Sequence, residues 1–219
     1  MTDAAFSCPP DCAKCCRSLV KEREPEEEEF LAEFDSVNRD QGLYTVDILA
    51  RKGIVLTCAE ARRLKEARKR TGAKARIVPH AFLLDGKGKR AIIASYRLDH
   101  AVCAFLDGYR CGAYEERPMP CRAFPVMVGA PTWSLAPLCP LVPEAQGKRE
   151  RGVTYREQFR VEAAARRAIG RTEAATEEAL LRVLTEEGPR LKRGLTTERA
   201  VALLREWPQV DLDALPPTG

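Results

Sequence analysis

Residues Cys8 to Cys16, reading CPPDCAKCC, hold four of the chain's nine cysteines, and the last two of them are adjacent. Nothing else in the sequence restricts the fold as strongly. Four thiols this close cannot be placed independently of one another. In a reducing compartment, where disulfides rarely persist, such density points to metal binding or thiol chemistry. The spacing Cys12-x-x-Cys15 lets two sulfurs converge on one ion, as in zinc knuckles and iron–sulfur loops. The adjacent pair Cys15-Cys16 is harder to fit. Neighbouring side chains diverge by roughly 100° on a helix and 180° on a strand, so two adjacent thiolates rarely serve one tetrahedral ion. The pair favours an iron–sulfur cluster, whose metal atoms face several directions, or two neighbouring metal sites. The alternative is that one of the two is a small buried hydrophobe.

A second cysteine-rich segment supplies Cys103, Cys111, Cys121 and Cys139 at wider gaps, among glycines and the prolines Pro118, Pro120 and Pro125. Those prolines are expected to forbid a regular helix and to stiffen the loop. Cys58 stands apart from both groups, at the first position of an expected helix, and is read as packing rather than as a ligand.

Composition narrows the chemistry. Hydrophobic residues make up 45% and charged residues 31% of 219 positions, enough apolar material for a core in a globular domain. No apolar run approaches the ~18 residues of a membrane span. MTDAAFSCPP has neither a basic start nor an apolar segment, so no secretory signal is expected and a cytoplasmic location is. The two histidines, His80 and His100, make a histidine-dependent mechanism a poor prospect, and no Ser/His/Asp set or paired-carboxylate motif stands out. His100 lies three residues before Cys103 and could reach it, but both histidines are read as structural. The net charge is +4, distributed unevenly: Glu22–Glu29 is acidic and Arg62–Arg76 strongly basic. Because no aromatics interleave with the basic run, it reads as a solvated helix face, and nucleic acid is not the expected partner.

The acidic run leads into a helix expected over Pro25 to Phe34. Thr57 with Glu60 three residues on is a capping box, so a second helix is expected from Thr57 to near Gly72. ARIVPHAFLLDGKGKRAIIASYRL reads as two strands around Asp85-Gly86-Lys87-Gly88, a turn rather than a phosphate loop. PTWSLAPLCPLV reads as a strand ending at Cys139. Three helices are expected near 154–169, 173–187 and 197–206, with Gly188-Pro189 and Pro208 as breaks.

The motif residues carry a resemblance. The CxxxCxxCC opening, Cys103-Ala-Phe-Leu, Cys111-Gly-Ala-Tyr114 and Arg117-Pro118-Met-Pro-Cys121-Arg122-Ala-Phe124-Pro125 resemble the YkgJ-like cysteine-cluster family. That family's pattern runs CxxCxxCC, CxFL, CxxY and RPxxCRxFP. The likeness extends from Cys8 to about Pro140, and the opening CPPDC is one residue longer than the family's CxxC. The resemblance implies zinc or iron chelation, with Cys12, Cys15, Cys16, Cys111 and Cys121 supported most directly and Cys103, Cys8 and Cys139 after them. A similar cysteine domain occurs in flagellin lysine N-methylases, where an iron–sulfur cluster is associated with methyl transfer. No nucleotide or S-adenosylmethionine fingerprint accompanies it here. Arg117 and Arg122 flank Cys121 and are candidates to donate to cluster sulfur or to balance thiolate charge. Tyr114 and Phe124 are expected to pack over the site.

The expected fold is α+β: a small irregular cysteine-rich, metal-organised domain with a β-hairpin over 1–150 and a helical C-terminal extension over 151–219. The expected function is that of a metal-binding accessory protein, with an iron–sulfur cluster, [4Fe-4S] in first place, and zinc as the alternative. It is expected to be redox-active or to assist protein modification, with a protein partner and no membrane. The competing classes are a structural zinc-binding interaction protein and an enzyme related to the flagellin methylases.

Overall fold

The computed structural model describes residues 11–20, 22–128, 133–136, 138–140 and 159–215. In chain order the helices are α1 (Lys14–Arg17), α2 (Pro25–Gln41), α3 (Cys58–Thr71), α4 (Met119–Ala123), α5 (Arg160–Glu186) and α6 (Thr197–Glu206). The strands are β1 (Leu43–Thr45), β2 (Ile54–Leu56), β3 (Ile77–Asp85), β4 (Arg90–Leu98), β5 (Leu106–Asp107), β6 (Arg110–Cys111), β7 (Val126–Val128), β8 (Trp133–Leu135) and β9 (Gln209–Asp211). The architecture is α+β, as the sequence implied.

The hairpin β3–β4 is the spine. Its turn forms because buried Asp85 accepts the backbone N–H groups of Lys87 and Gly88 at 3.0 and 2.9 Å and pairs with Arg90 at 3.1 Å. Around it the sheet runs β1-β3-β4-β2, and β9 joins the β2 edge of β4 in parallel. Side chains of successive strand residues point to opposite faces. Phe82, Leu84, Ala91 and Ile93 therefore meet α3 and α6 on one face, through Ala61, Leu64, Ala200 and Leu203. Leu83, Ile92 and Ala94 meet α5 on the other, through Val183. The β3–β4 register shifts around Ala81, and beyond that shift Tyr96 and Leu98 belong to the α3 face. A bulge that inserts one residue re-aims the strand in this way.

Helix α3 has the expected bounds. Thr57 accepts Glu60 N–H, the Glu60 carboxylate accepts Thr57 N–H, and Gly72 ends the helix with a left-handed φ of 69°. Other elements differ from expectation for physical reasons. Helix α2 runs on to Gln41, because Phe34 is followed by no breaker until Gly42, whose φ of 90° caps it. The two helices expected over 154–169 and 173–187 are one helix, α5, which continues through Gly170. An isolated glycine costs only about 1 kcal/mol in a helix, and the alanines and leucines on either side outweigh it. Residues 154–158 of that expectation lie outside the described residues. The prolines around Cys121 do not exclude a helix. Pro118 is the N-cap of α4 and Pro120 lies in its first turn, where a missing N–H leaves no bond unmade.

The C-terminal helices expected from the sequence are present as α5 and α6, and they pack on the rest of the fold. Helix α6 buries Ala200, Leu203 and Leu204 in the same core as α3, and β9 completes the sheet. Among the described residues no helix is long and apolar enough to cross a membrane.

Candidate metal centre

Three chain segments, one near the N-terminus and two within residues 103–123, deliver thiols to one place. The first is α1, a single turn entered through Ala13 at φ 45°. It is fixed by Cys103 N–H donating to the Cys16 carbonyl at 2.7 Å and by Leu19 N–H donating to the Ala101 carbonyl at 2.7 Å. Gly53 N–H closes the far side on the Leu19 carbonyl at 2.8 Å. The second segment is the small hairpin β5–β6. Leu106 is paired with Cys111, and Gly112 N–H donates to the Phe105 carbonyl at 2.8 Å. Phe105 and Ala113 are buried in the main core, and Cys103 and Cys111 pack against it. The third is α4, which carries Cys121.

Helix α3 holds the third segment in place. Glu60, 2% exposed, caps its own helix with Oε2 and accepts Met119 N–H with Oε1 at 2.6 Å. In the last turn of α3, Arg70 pairs with Glu116 at 2.6 Å. The loop that leads to Cys121 is thus pinned at both ends to a helix that is itself core.

The thiols act on one another electrostatically. Cys15 and Cys16 sulfurs lie 3.9 Å apart. The contact between them holds the pKa of Cys15 down to about 7, whereas the same contact, burial and the neighbouring thiols push Cys16 up. Burial raises Cys103, Cys111 and Cys121, and each also feels the charge of Cys15. Cys121 feels Cys103 and Cys111 as well. A group of five thiols whose charged forms oppose one another is one that a cation would relieve. Arg117 acts on Cys15, Cys111 and Cys121 together, and its positive charge works to lower each of the three against the effect of burial. Its guanidinium is stacked 3.7 Å from the Tyr114 ring centroid, and its Nε donates to the Tyr114 carbonyl at 3.2 Å.

The divergence argument about the adjacent pair does not hold here. In a single helical turn the short Cβ–Sγ arms rotate toward each other and the sulfurs touch. Among the described residues, however, no three cysteine sulfurs lie within 4.8 Å of one another.

The remaining candidates are placed as follows. Arg122 donates its Nε to the Arg117 carbonyl at 2.7 Å and its Nη2 to the Glu115 carbonyl, so it braces the loop. Tyr114 is exposed and acts through Arg117. Cys12 is half-buried beside Ala13, and Cys139 is buried, its N–H donating to the Ala136 carbonyl at 3.0 Å. Cys8 lies outside the described residues. His100 accepts Arg76 N–H on Nε2 at 2.7 Å and so serves the backbone. The basic run is engaged within the chain: Arg76 pairs with Asp99, Lys69 with Glu66, and Lys65 lies over Tyr96.

Cys58 is 4% exposed, donates to the Ile93 carbonyl at 3.2 Å and has its pKa pushed up to about 12 by burial. Its sulfur nonetheless lies within 4.8 Å of carboxylate oxygens of Asp211 and Asp213. Arg62 already fills the cation's place there. It donates to both oxygens of Asp213 at 2.8 and 2.7 Å and also to Asp211, which accepts Tyr96 O–H at 2.7 Å. The cluster ties β9 and the 3-10 turn Leu212–Ala214 to α3. Sequence reading missed both aspartates, because only the pairing of β9 with β4 brings them near.

A thiol-rich centre carried on loops around an α+β core defines a metal-chelating domain. The family model CxxCxxCC, "Putative zinc- or iron-chelating domain", matches residues 7–151, and the chain belongs to that family. No curated protein and no solved structure matches it.

Proposed function

We propose that this protein is an iron–sulfur accessory protein, with the cluster held by thiols among Cys15, Cys16, Cys103, Cys111 and Cys121. One observation carries the reading: Cys15, Cys16, Cys103, Cys111 and Cys121 come near enough to act on one another's charge, and Arg117 acts on three of them. The donor set fits such a group, since cluster iron is held by cysteine thiolates. The spread of the sulfurs supports a cluster over one zinc ion. With zinc–sulfur bonds of about 2.3 Å, a tetrahedral site would place its sulfurs about 3.8 Å apart, and the described thiols hold no trio that tight.

When bound, a cluster supplies one-electron redox capacity. The chain's own residues supply the rest. Arg117 offsets thiolate charge, α3 fixes the loop of Cys121 through Glu60, and Phe105 and Ala113 back the site with core. The protein acts with a protein partner, as an electron carrier or as an aid to protein modification. A structural zinc site is the second reading, favoured by the 3.9 Å Cys15–Cys16 pair, which has tetrahedral spacing.

Single Cys→Ser substitutions at residues 15, 16, 103, 111 and 121, with iron, zinc and acid-labile sulfide counted per chain, test the proposal. Loss of iron and sulfide together at four or more of the five is expected. Full iron and sulfide retained in all five variants would refute the assignment.

A further inference from the structure

The acidic helix α2 shows a face that the metal centre does not use. Phe30, Phe34 and Val37 are 64%, 50% and 53% exposed. At spacings of four and three they form one stripe along the helix. The two phenyl rings stack with centroids 6.2 Å apart and planes 15° off parallel, so they present one continuous apolar surface rather than two isolated side chains. By typical phenylalanine areas the stripe exposes on the order of 300 Å², the lower end of the largest apolar patch on a typical soluble monomer, a patch that is often functional.

The stripe is not the face that α2 turns to its own fold. Leu31, Asp35, Asn38 and Arg39 are the buried or half-buried positions, and Asp35 pairs with Arg39 at 3.1 Å. At 100° per residue that face lies about a third of a turn from the stripe. Between the two, on the other side, runs an exposed row of Glu26, Glu29, Glu33 and Asp40. Glu27 borders the opposite margin.

We propose that α2 is a docking helix for a cationic protein partner, one with an apolar groove rimmed by lysine or arginine. Three anchors at i, i+4 and i+7 are the arrangement by which a helix fills a hydrophobic groove, and aromatic anchors dominate such interfaces. The carboxylate row selects the partner's charge and speeds encounter with it. The same row argues against a membrane, because helices that lie on anionic lipid carry Lys and Arg on their polar face. The surface touches none of the clustered thiols, so the proposal is independent of which metal they bind.

The test uses the full chain and a fluorescein-labelled model peptide, an amphipathic helix with leucine on one face and lysine along its margins, followed by anisotropy. The native protein is expected to bind it. Phe30→Ser with Phe34→Ser is expected to weaken binding at least ~10-fold, Glu26→Lys with Glu33→Lys to weaken it and abolish its salt dependence, and Leu181→Ser, an exposed apolar residue on α5, to leave it unchanged. All these positions are exposed, and far-ultraviolet circular dichroism confirms that each variant is folded. No binding by the native protein, equal binding by the Phe30/Phe34 variant, or equal loss with Leu181→Ser overturns the proposal. So does retention on phosphatidylglycerol vesicles through Phe30 and Phe34, or a native dimer that those substitutions dissociate, since the occupant would then be lipid or a second copy.

Discussion

Glu60 joins two structures with one carboxylate: Oε2 accepts Thr57 N–H at 2.9 Å and closes the cap of α3, and Oε1 accepts Met119 N–H at 2.6 Å and fixes the helix of Cys121. Glu60→Ala leaves the Thr57 cap but removes the carboxylate half of the capping box, stranding the Thr57 and Met119 amides at about 1–2 kcal/mol each. A destabilisation of about 2–4 kcal/mol in urea unfolding is expected, with metal content falling in parallel. Glu60→Gln keeps one acceptor oxygen and should recover part of both. Equal metal content in all three proteins would separate Glu60 from the centre.

Arg117 is the second handle on the site. Arg117→Met keeps much of the volume and removes the charge that favours the thiolates of Cys15, Cys111 and Cys121. Metal affinity, measured by chelator competition, should fall 10- to 100-fold, the usual range for residues supporting metal ligands. Arg122→Met should fall less, because Arg122 reaches only carbonyls.

Cys58 should behave as core. Cys58→Ala is expected to leave metal stoichiometry unchanged and to cost about 1 kcal/mol of stability through lost packing. In the folded protein Cys58 should resist alkylation at pH 8, because burial holds its thiol near 12. Mass mapping of alkylated peptides before and after unfolding checks this, and rapid labelling in the folded state would contradict it.

His100 gives a pH signature. Burial lowers its pKa from 6.5, and its Nε2 accepts Arg76 N–H, so the fold holds the neutral ring. A group depressed in the native state contributes stability that is present above pH 6.5 and is lost as pH falls through the native value. His100→Gln offers a non-titrating acceptor and should flatten that part of the stability curve, measured by urea unfolding from pH 7.5 to 5.

The parts of this molecule legible in the sequence are those set by short-range chemistry. Thr57 and Glu60 announce α3 because a capping box is local, and Asp85-Gly86-Lys87-Gly88 announces the hairpin because its turn bonds close within four residues. The cysteine groups were recognisable as one motif, although no local rule states that Cys16 and Cys103 are hydrogen-bonded neighbours. What was not legible depends on distant partners. The second role of Glu60 needs Met119, fifty-nine positions on. The fusion of two expected helices into α5 turns instead on a small energy difference, since Gly170 costs only about 1 kcal/mol and the alanines and leucines around it outweigh that. The rotation of the Cys15 and Cys16 sulfurs toward each other depends on side-chain torsions, which the backbone period does not fix.

The identity of the bound species is the central claim, and the visible spectrum of protein purified without oxygen tests it most directly. An iron–sulfur protein is expected to be brown, with broad absorption near ~400 nm that fades on reduction and scales with acid-labile sulfide. Zinc is d¹⁰ and colourless. A colourless anaerobic preparation with stoichiometric zinc and no sulfide would contradict the account and establish the zinc reading in its place.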